Sequence, residues 1–246
     1  MQVVIDNILL NYQIFGNEKE NPVLILHGWG RSTKEWITVG EELSDNHKVI
    51  LLDLPGFGDS SSPPKEIFDI YDYQKTVNTF AKKLGLKKIT LIGHSFGGKI
   101  GIVFCANSNL VEKLILINSS GVESKSFKTN IINSLSSALK PIIQKLPDEI
   151  QSKIISSLAS QDYLNSGKLR ESFKLIIKQN ITAEAKMINC STIIIWGEHD
   201  KVVSITSAKK LHKLIKKSIL RIIWDSGHNP HLTHSEIFLN LLREYI

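Results

Sequence analysis

The chain has 246 residues, 42% hydrophobic and 22% charged, with a formal net charge of +6. That length suits one α/β domain, alone or with an insertion, and allows a sizeable core. The lysines are scattered, several of them in pairs (Lys82-Lys83, Lys209-Lys210, Lys216-Lys217) that read as solvated helix faces, so no nucleic-acid partner is expected. Two cysteines, Cys105 and Cys190, make neither a disulfide framework nor a metal-type spacing, and suit a reducing compartment. The opening "MQVVIDNILL" lacks the basic region and long apolar stretch of a secretion signal, and no apolar run approaches the ~20 residues that span a bilayer. A cytoplasmic protein without stable membrane insertion is the expectation.

Short apolar runs recur in chain order: "VVI" near residue 3, "LLNYQIF" at 9–15, "VLILHG" at 23–28, "KVILLDLPG" at 48–56, "KITLIGHS" at 88–95, "KLILINSSG" at 113–121, "TIIIWGEHD" at 192–200 and "LRIIWDSGH" at 220–228. From the third onward they are continuously hydrophobic, the pattern of strands covered on both faces and hence of a parallel sheet. Helical spacing fills the gaps. Tyr73, Val77, Phe80, Ala81 and Leu84 recur at three and four, as do Ala208, Leu211 and Leu214–Ile215 behind a candidate N-cap at Ser204, and Phe238, Leu241, Leu242 and Tyr245 near the end. Strands alternating with helices predict a doubly wound, mostly parallel α/β sheet.

Between Gly121 and about Asn189 that rhythm breaks. Residues 122–166 contain no glycine, and Ile131, Ile132, Leu135, Leu139, Ile142, Ile143 and Leu146 keep helical spacing around Pro141. Ile150, Ile154, Ile155 and Leu158 continue it, and Leu169, Phe173, Ile176 and Ile177 form another amphipathic set. The expected organisation is a core of residues 1–121 and 190–246 with a helical cap at 122–189, placed where loops beyond parallel strands meet ligands.

One segment asks for a chemical explanation. "GHSFG" at 93–97 has the form G-x-S-x-G and sits between a predicted strand and a predicted helix. So sharp a turn puts Ser95 in a strained conformation and needs glycine at 93 and 97, while the serine oxygen stands out at the carboxyl edge of the sheet. A hydroxyl is a poor nucleophile at neutral pH and needs a base, which in turn needs an orienting acid. Two later strand ends supply candidates, Asp200 after "TIIIWG" and His228 after "LRIIWDSG". Asp225 and Glu198 are weaker alternatives for the acid. His228, His231 and His234 stand three apart, but no metal site is expected, because acidic and cysteine partners are sparse nearby. Asp53, Asp59, His94 and Cys105 are read as structural.

The order Ser95, Asp200, His228, together with "LHGWG" at 26–30, "DLPGFGDSS" at 53–61, "GHSFGG" at 93–98, "WGEHDKVV" at 196–203 and "GHNPHLTH" at 227–234, resembles the α/β-hydrolase superfamily across nearly the whole chain. The resemblance implies Ser95 as nucleophile, Asp200 as orienting acid and His228 as general base. It implies an oxyanion hole from the backbone N–H groups of Phe96 and Trp29, with both residues also near the substrate. A serine at 95 separates the chain from relatives that use aspartate there on haloalkanes or epoxides. The wording resembles small carboxylesterases most, and also carbon–carbon bond hydrolases of aromatic degradation; a ligand receptor with little turnover is the alternative of another class. The implied substrate is a small molecule with an apolar acyl or alcohol part, with no cofactor.

Overall fold

The computed structural model describes residues 1–17, 22–122 and 166–246. The recurrent apolar runs become β1 (Gln2–Ile5), β2 (Ile8–Phe15), β3 (Val23–Leu26), β4 (Val49–Leu52), β5 (Ile89–His94), β6 (Val111–Ile117), β7 (Ser191–Gly197) and β8 (Ser218–Ile223). They form one sheet in the order β1-β2-β4-β3-β5-β6-β7-β8. Only β1 and β2 run antiparallel to their neighbours; the pairings from β4 through β8 are all parallel.

Alternate side chains of the inner strands point to opposite faces. Leu24, Leu26, Ile50, Leu52, Leu114, Leu116, Ile194 and Trp196 enter one buried cluster, with Tyr73, Phe80, Phe104 and Leu211. Val23, Ile25, Val49, Leu51, Ile115, Ile117, Ile193 and Ile195 enter the other, with Val39, Leu43, Phe238 and Leu242. The first cluster is covered by α2 (Ile70–Lys83), α3 (Phe96–Asn107) and α6 (Ile205–Leu214), the second by α1 (Ile37–Leu43) and α8 (Ser235–Tyr245). Each fully buried aliphatic side chain contributes about 1.5–3 kcal/mol, so two covered faces, not backbone pairing, carry the sheet. The outermost strand differs from its expected pattern. β8 is only partly covered and Ile219 is exposed, because an edge strand has a neighbour on one side only.

Helix ends follow local chemistry. Asp69 caps α2 and accepts from the Tyr71 and Asp72 N–H groups, while the Asp72 side chain reaches back to the Asp69 N–H. Ser204 caps α6 by accepting from the Thr206 N–H. The helical spacing expected at 131–158 lies outside the described residues. Beyond it come a 3₁₀ turn (Gly167–Leu169), α4 (Arg170–Lys178) and α5 (Thr182–Met187). Leu169, Phe173 and Ile176 are buried as expected, whereas Ile177 is exposed, so the packed stripe is narrower than the periodicity suggests.

A buried lysine fastens α4 to α3. The Lys99 Nζ donates to the Ile176 carbonyl at 2.5 Å and to the Gln179 carbonyl at 2.6 Å, at the C-terminal end of α4, where the Ile176 carbonyl also accepts from the Gln179 N–H at 3.2 Å. The amide of Gln179 returns to α2, its Oε1 accepting from the Ile70 N–H at 3.1 Å. Lys99→Met should lower stability by about 1–3 kcal/mol, since two charge-assisted bonds are lost and the Gln179 carbonyl is left to find another donor. Urea denaturation monitored by circular dichroism checks this; an unchanged midpoint would mean that α4 holds its place by apolar packing alone.

Every motif singled out in the sequence leaves the sheet at one edge. The loops after β3, β4, β5, β6, β7 and β8 all start from carboxyl ends of parallel strands, the edge where ligands bind in such sheets.

Candidate active site

Ser95 joins β5 to α3 with φ +50° and ψ −109°, a backbone that a residue with a side chain adopts only when its surroundings impose it. The surroundings are tight. A Cβ at Gly97 would lie 2.2 Å from the Leu26 carbonyl oxygen, and one at Gly93 would lie 2.6 Å from the Gly97 oxygen. The Ser95 N–H donates to the Ile117 carbonyl at 2.9 Å, and the Ser95 carbonyl accepts from the Lys99 and Ser120 N–H groups. Phe96 is the first residue of α3, so its N–H belongs to the helical turn without intrahelical acceptors.

The loop after β3 lies against this turn. A Cβ on Gly28 would come within 3.0 Å of the His94 Nδ1 and 3.6 Å of the Ser95 Cβ. His27 shapes the loop: its Nδ1–H donates to the Gly28 carbonyl at 2.7 Å and its Nε2 accepts from the Leu54 N–H at 3.0 Å. Burial pushes the His27 ring below its ordinary pKa, against the opposing pull of the Gly28 carbonyl and the Asp53 charge, which suits the neutral tautomer those bonds require. Trp29 follows. Its Nε1–H donates to the Ser166 Oγ at 3.1 Å, and its ring stands 4.9–5.0 Å from those of Phe57, Phe96 and Phe173. Trp29, Phe57, Phe96 and Phe173 thus form one packed cluster, to which α4 contributes Phe173.

Asp200 and His228 meet across the ends of β7 and β8. The His228 Nδ1–H donates to the Asp200 Oδ2 at 2.8 Å, with the carboxylate wholly buried. The Asp200 Oδ1 accepts from the N–H groups of Val202 and Val203 at 2.8 and 2.9 Å. Burial alone would raise the Asp200 pKa; the bond and charge of His228, the Asn118 amide and the Val203 N–H outweigh it and hold the carboxyl below its ordinary value. Asp225 stands on the surface with φ +57°, 3.6 Å from His199 and exposed to solvent.

The α/β-hydrolase fold model matches residues 21–148, more than half of the chain. The chain belongs to the α/β-hydrolase family. Lipase 3 of a Moraxella species is 24% identical, over 87% of this chain and 73% of the relative. The 2-hydroxy-6-oxo-2,4-heptadienoate hydrolase of Pseudomonas putida is 25% identical, over 92% of this chain and 89% of the relative. Among solved structures, a bacterial membrane phospholipase A superposes with a TM-score of 0.82 at 24% identity, covering 99% of this chain and 84% of that one.

Three further residues of this α/β-hydrolase support the site, and of these Asn118 was not foreseen. Asn118, directly after β6, has φ +44° and is completely buried. Its Nδ2 donates to the Asp200 Oδ2 at 2.6 Å while its Oδ1 accepts from the Gly197 N–H at 3.3 Å. His94, read as structural, is a brace between two motifs: its Nε2–H donates to the His228 carbonyl at 2.9 Å. Burial, with the neighbouring His231 and His228 rings, holds it well below its ordinary pKa, so it remains a neutral donor. His231 stacks on Trp36 at 4.2 Å and 8°, which packs the short helix α7 (Pro230–Thr233) that follows His228. Asp53 is structural as expected, its carboxylate accepting from the Thr33 N–H, the Asp59 N–H and the Asn11 amide.

The three histidines spaced three apart diverge. His228 bonds Asp200, His231 stacks on Trp36, and the His234 Nδ1 lies 2.9 Å from the Thr233 hydroxyl. Among the described residues, no helix is long and apolar enough to cross a membrane.

Proposed function

We propose that this hydrolase cleaves carboxylic esters of small to medium size, with an apolar acyl or alcohol part, through an acyl-enzyme on Ser95. The observation that carries the reading is the buried Asp200–His228 hydrogen bond at the sheet edge where a strained turn presents Ser95. With its Nδ1–H committed to Asp200, the His228 Nε2 has a free lone pair and acts as general base. It takes the Ser95 proton as Oγ attacks the ester carbonyl. The backbone N–H groups of Phe96 and Trp29 hold the oxyanion of the tetrahedral intermediate. The imidazolium returns the proton to the departing alcohol. Water, activated by the same imidazole, then attacks the acyl-enzyme and releases the acid. Water and these side chains suffice, with no prosthetic group.

The aromatic cluster of Trp29, Phe57, Phe96 and Phe173 supports an apolar acyl subsite. The likeness to the heptadienoate hydrolase favours a second reading, in which the same three residues break a carbon–carbon bond beside a ketone. Steady-state hydrolysis of p-nitrophenyl esters from acetate to decanoate separates the two. Activity peaking at one chain length, with one equivalent of a phosphonate inhibitor bound on Ser95, is the expected result. Inertness toward every ester, beside fast turnover of a dienoate ring-cleavage product, would replace the first reading with the second. Tight ligand binding without turnover of either would sink both.

A further inference from the structure

Cys105 and Cys190 are 85 residues apart in the chain, yet their Sγ atoms lie 3.0 Å from each other. That is roughly an ångström beyond a covalent S–S bond. Cys105 sits in the last turn of α3 and Cys190 immediately before β7. Both residues are partly buried and packed at the margin of the larger core cluster. Neither belongs to the site described above. Ser95 lies at the opposite end of α3 and Asp200 beyond the opposite end of β7.

We propose that Cys105 and Cys190 form a reversible dithiol–disulfide site, oxidised by small disulfides of the glutathione class, that locks the return end of residues 122–189 onto α3. The two thiols are unequal. The contact between the two sulfurs, with the Thr192 hydroxyl 3.9 Å from the Cys190 Sγ and the Lys217 charge, pulls the Cys190 thiol below its ordinary value against the effect of burial. The same contact pushes the Cys105 thiol up. Cys190, which has the Thr192 hydroxyl and the Lys217 charge beside it, is the attacking thiolate of the proposed site. It displaces one glutathione thiolate from oxidised glutathione and carries the other half as a mixed disulfide. The released thiolate takes the Cys105 proton, and the Cys105 thiolate then attacks the Cys190 sulfur and expels the second glutathione. Two electrons pass from the protein to the small disulfide, which leaves as two molecules of reduced glutathione.

The new bond closes a loop that contains β6 and the whole segment between β6 and β7. A loop of that length constrains the unfolded chain strongly, so the oxidised protein should melt about 5–15 °C higher. Turnover should be unchanged, because the bond forms away from Ser95.

The test is mass spectrometry and thiol titration of the native protein equilibrated with oxidised and reduced glutathione at several ratios. The expected result is loss of two hydrogens and of both free thiols, with no retained glutathione, reversed by dithiothreitol. Cys105→Ser should stop at one glutathionyl group on Cys190. Two persistent free thiols, two retained glutathionyl groups, or disulfide-linked dimers would each overturn the site. An oxidised protein whose Tm does not rise would overturn the lock.

Discussion

Replacing Ser95 with alanine should remove ester turnover from a protein that still folds. The hydroxyl is the group that becomes acylated in the proposed reaction, and nothing else at the turn between β5 and α3 can take its place. kcat should fall by at least about a thousandfold, the remainder coming from the oxyanion donors and substrate binding alone. Stability should hardly move. Alanine keeps the Cβ and so the same penalty at φ +50°, and the main-chain bonds from Ser95 to Ile117, Lys99 and Ser120 do not involve the hydroxyl. A change within about 1 kcal/mol is expected. Ser95→Gly also relieves the backbone strain, by more than the extra freedom of an unfolded glycine costs, and should melt higher than the alanine variant. The pair of variants thus separates the strain from the chemistry. Rapid-mixing measurement of the p-nitrophenol burst, beside thermal melts, checks both. Wild-type-like turnover by the alanine variant would end the assignment.

The strands were legible because a strand covered on both faces is apolar at nearly every position, and "VLIL", "TLIG" and "TIIIWG" are too short and too apolar for anything but a covered strand. The turn around Ser95 was legible for a different reason. Its glycines are forced because a Cβ there would lie 2.2 or 2.6 Å from a backbone oxygen, and such tight places leave a short local signature. Strand order was not legible from the pattern, since β3, lying between β4 and β5, is as apolar as its neighbours. Asn118, Lys99 and the cysteine pair were illegible because their meaning is tertiary. Asn118 acts on a residue 82 positions away, Lys99 on carbonyls 77 and 80 away, and Cys105 on a sulfur 85 away. Asn118 did carry one usable signal, a polar residue directly after a strand on the same edge as Ser95. For Lys99 the only hint was a lysine in the apolar run "GGKIGIVF", where a charge must find partners or stay out of the core.

Asp200→Asn should cost about ten-thousandfold in kcat while leaving substrate binding in place. The reason is the direction of one hydrogen bond. The Asp200 Oδ2 accepts from both the His228 Nδ1–H and the Asn118 Nδ2, and its Oδ1 accepts from Val202 and Val203. In an asparagine, the oxygen is best kept where the two backbone N–H groups need it. The amide nitrogen then faces His228 and Asn118. His228 responds by accepting at Nδ1 and carrying its proton on Nε2, where it can no longer take one from Ser95. Asn118 would meet donor with donor unless its amide turned, which would cost the bond from the Gly197 N–H. The variant also reports on pH. An unfolded aspartate titrates near 3.9, and the folded Asp200 lies lower, so on acidification the unfolded chain takes up the proton first. Its contribution to stability is therefore complete above the unfolded value and is lost as pH falls through the folded one. Urea midpoints measured from about pH 6 down to about pH 3 should fall less steeply for Asp200→Asn than for wild type, Asp53 and Glu35 supplying the slope common to both. Identical slopes would show that Asp200 is not held ionised by the contacts that orient His228, and the account of its hydrogen bonds would fail with them.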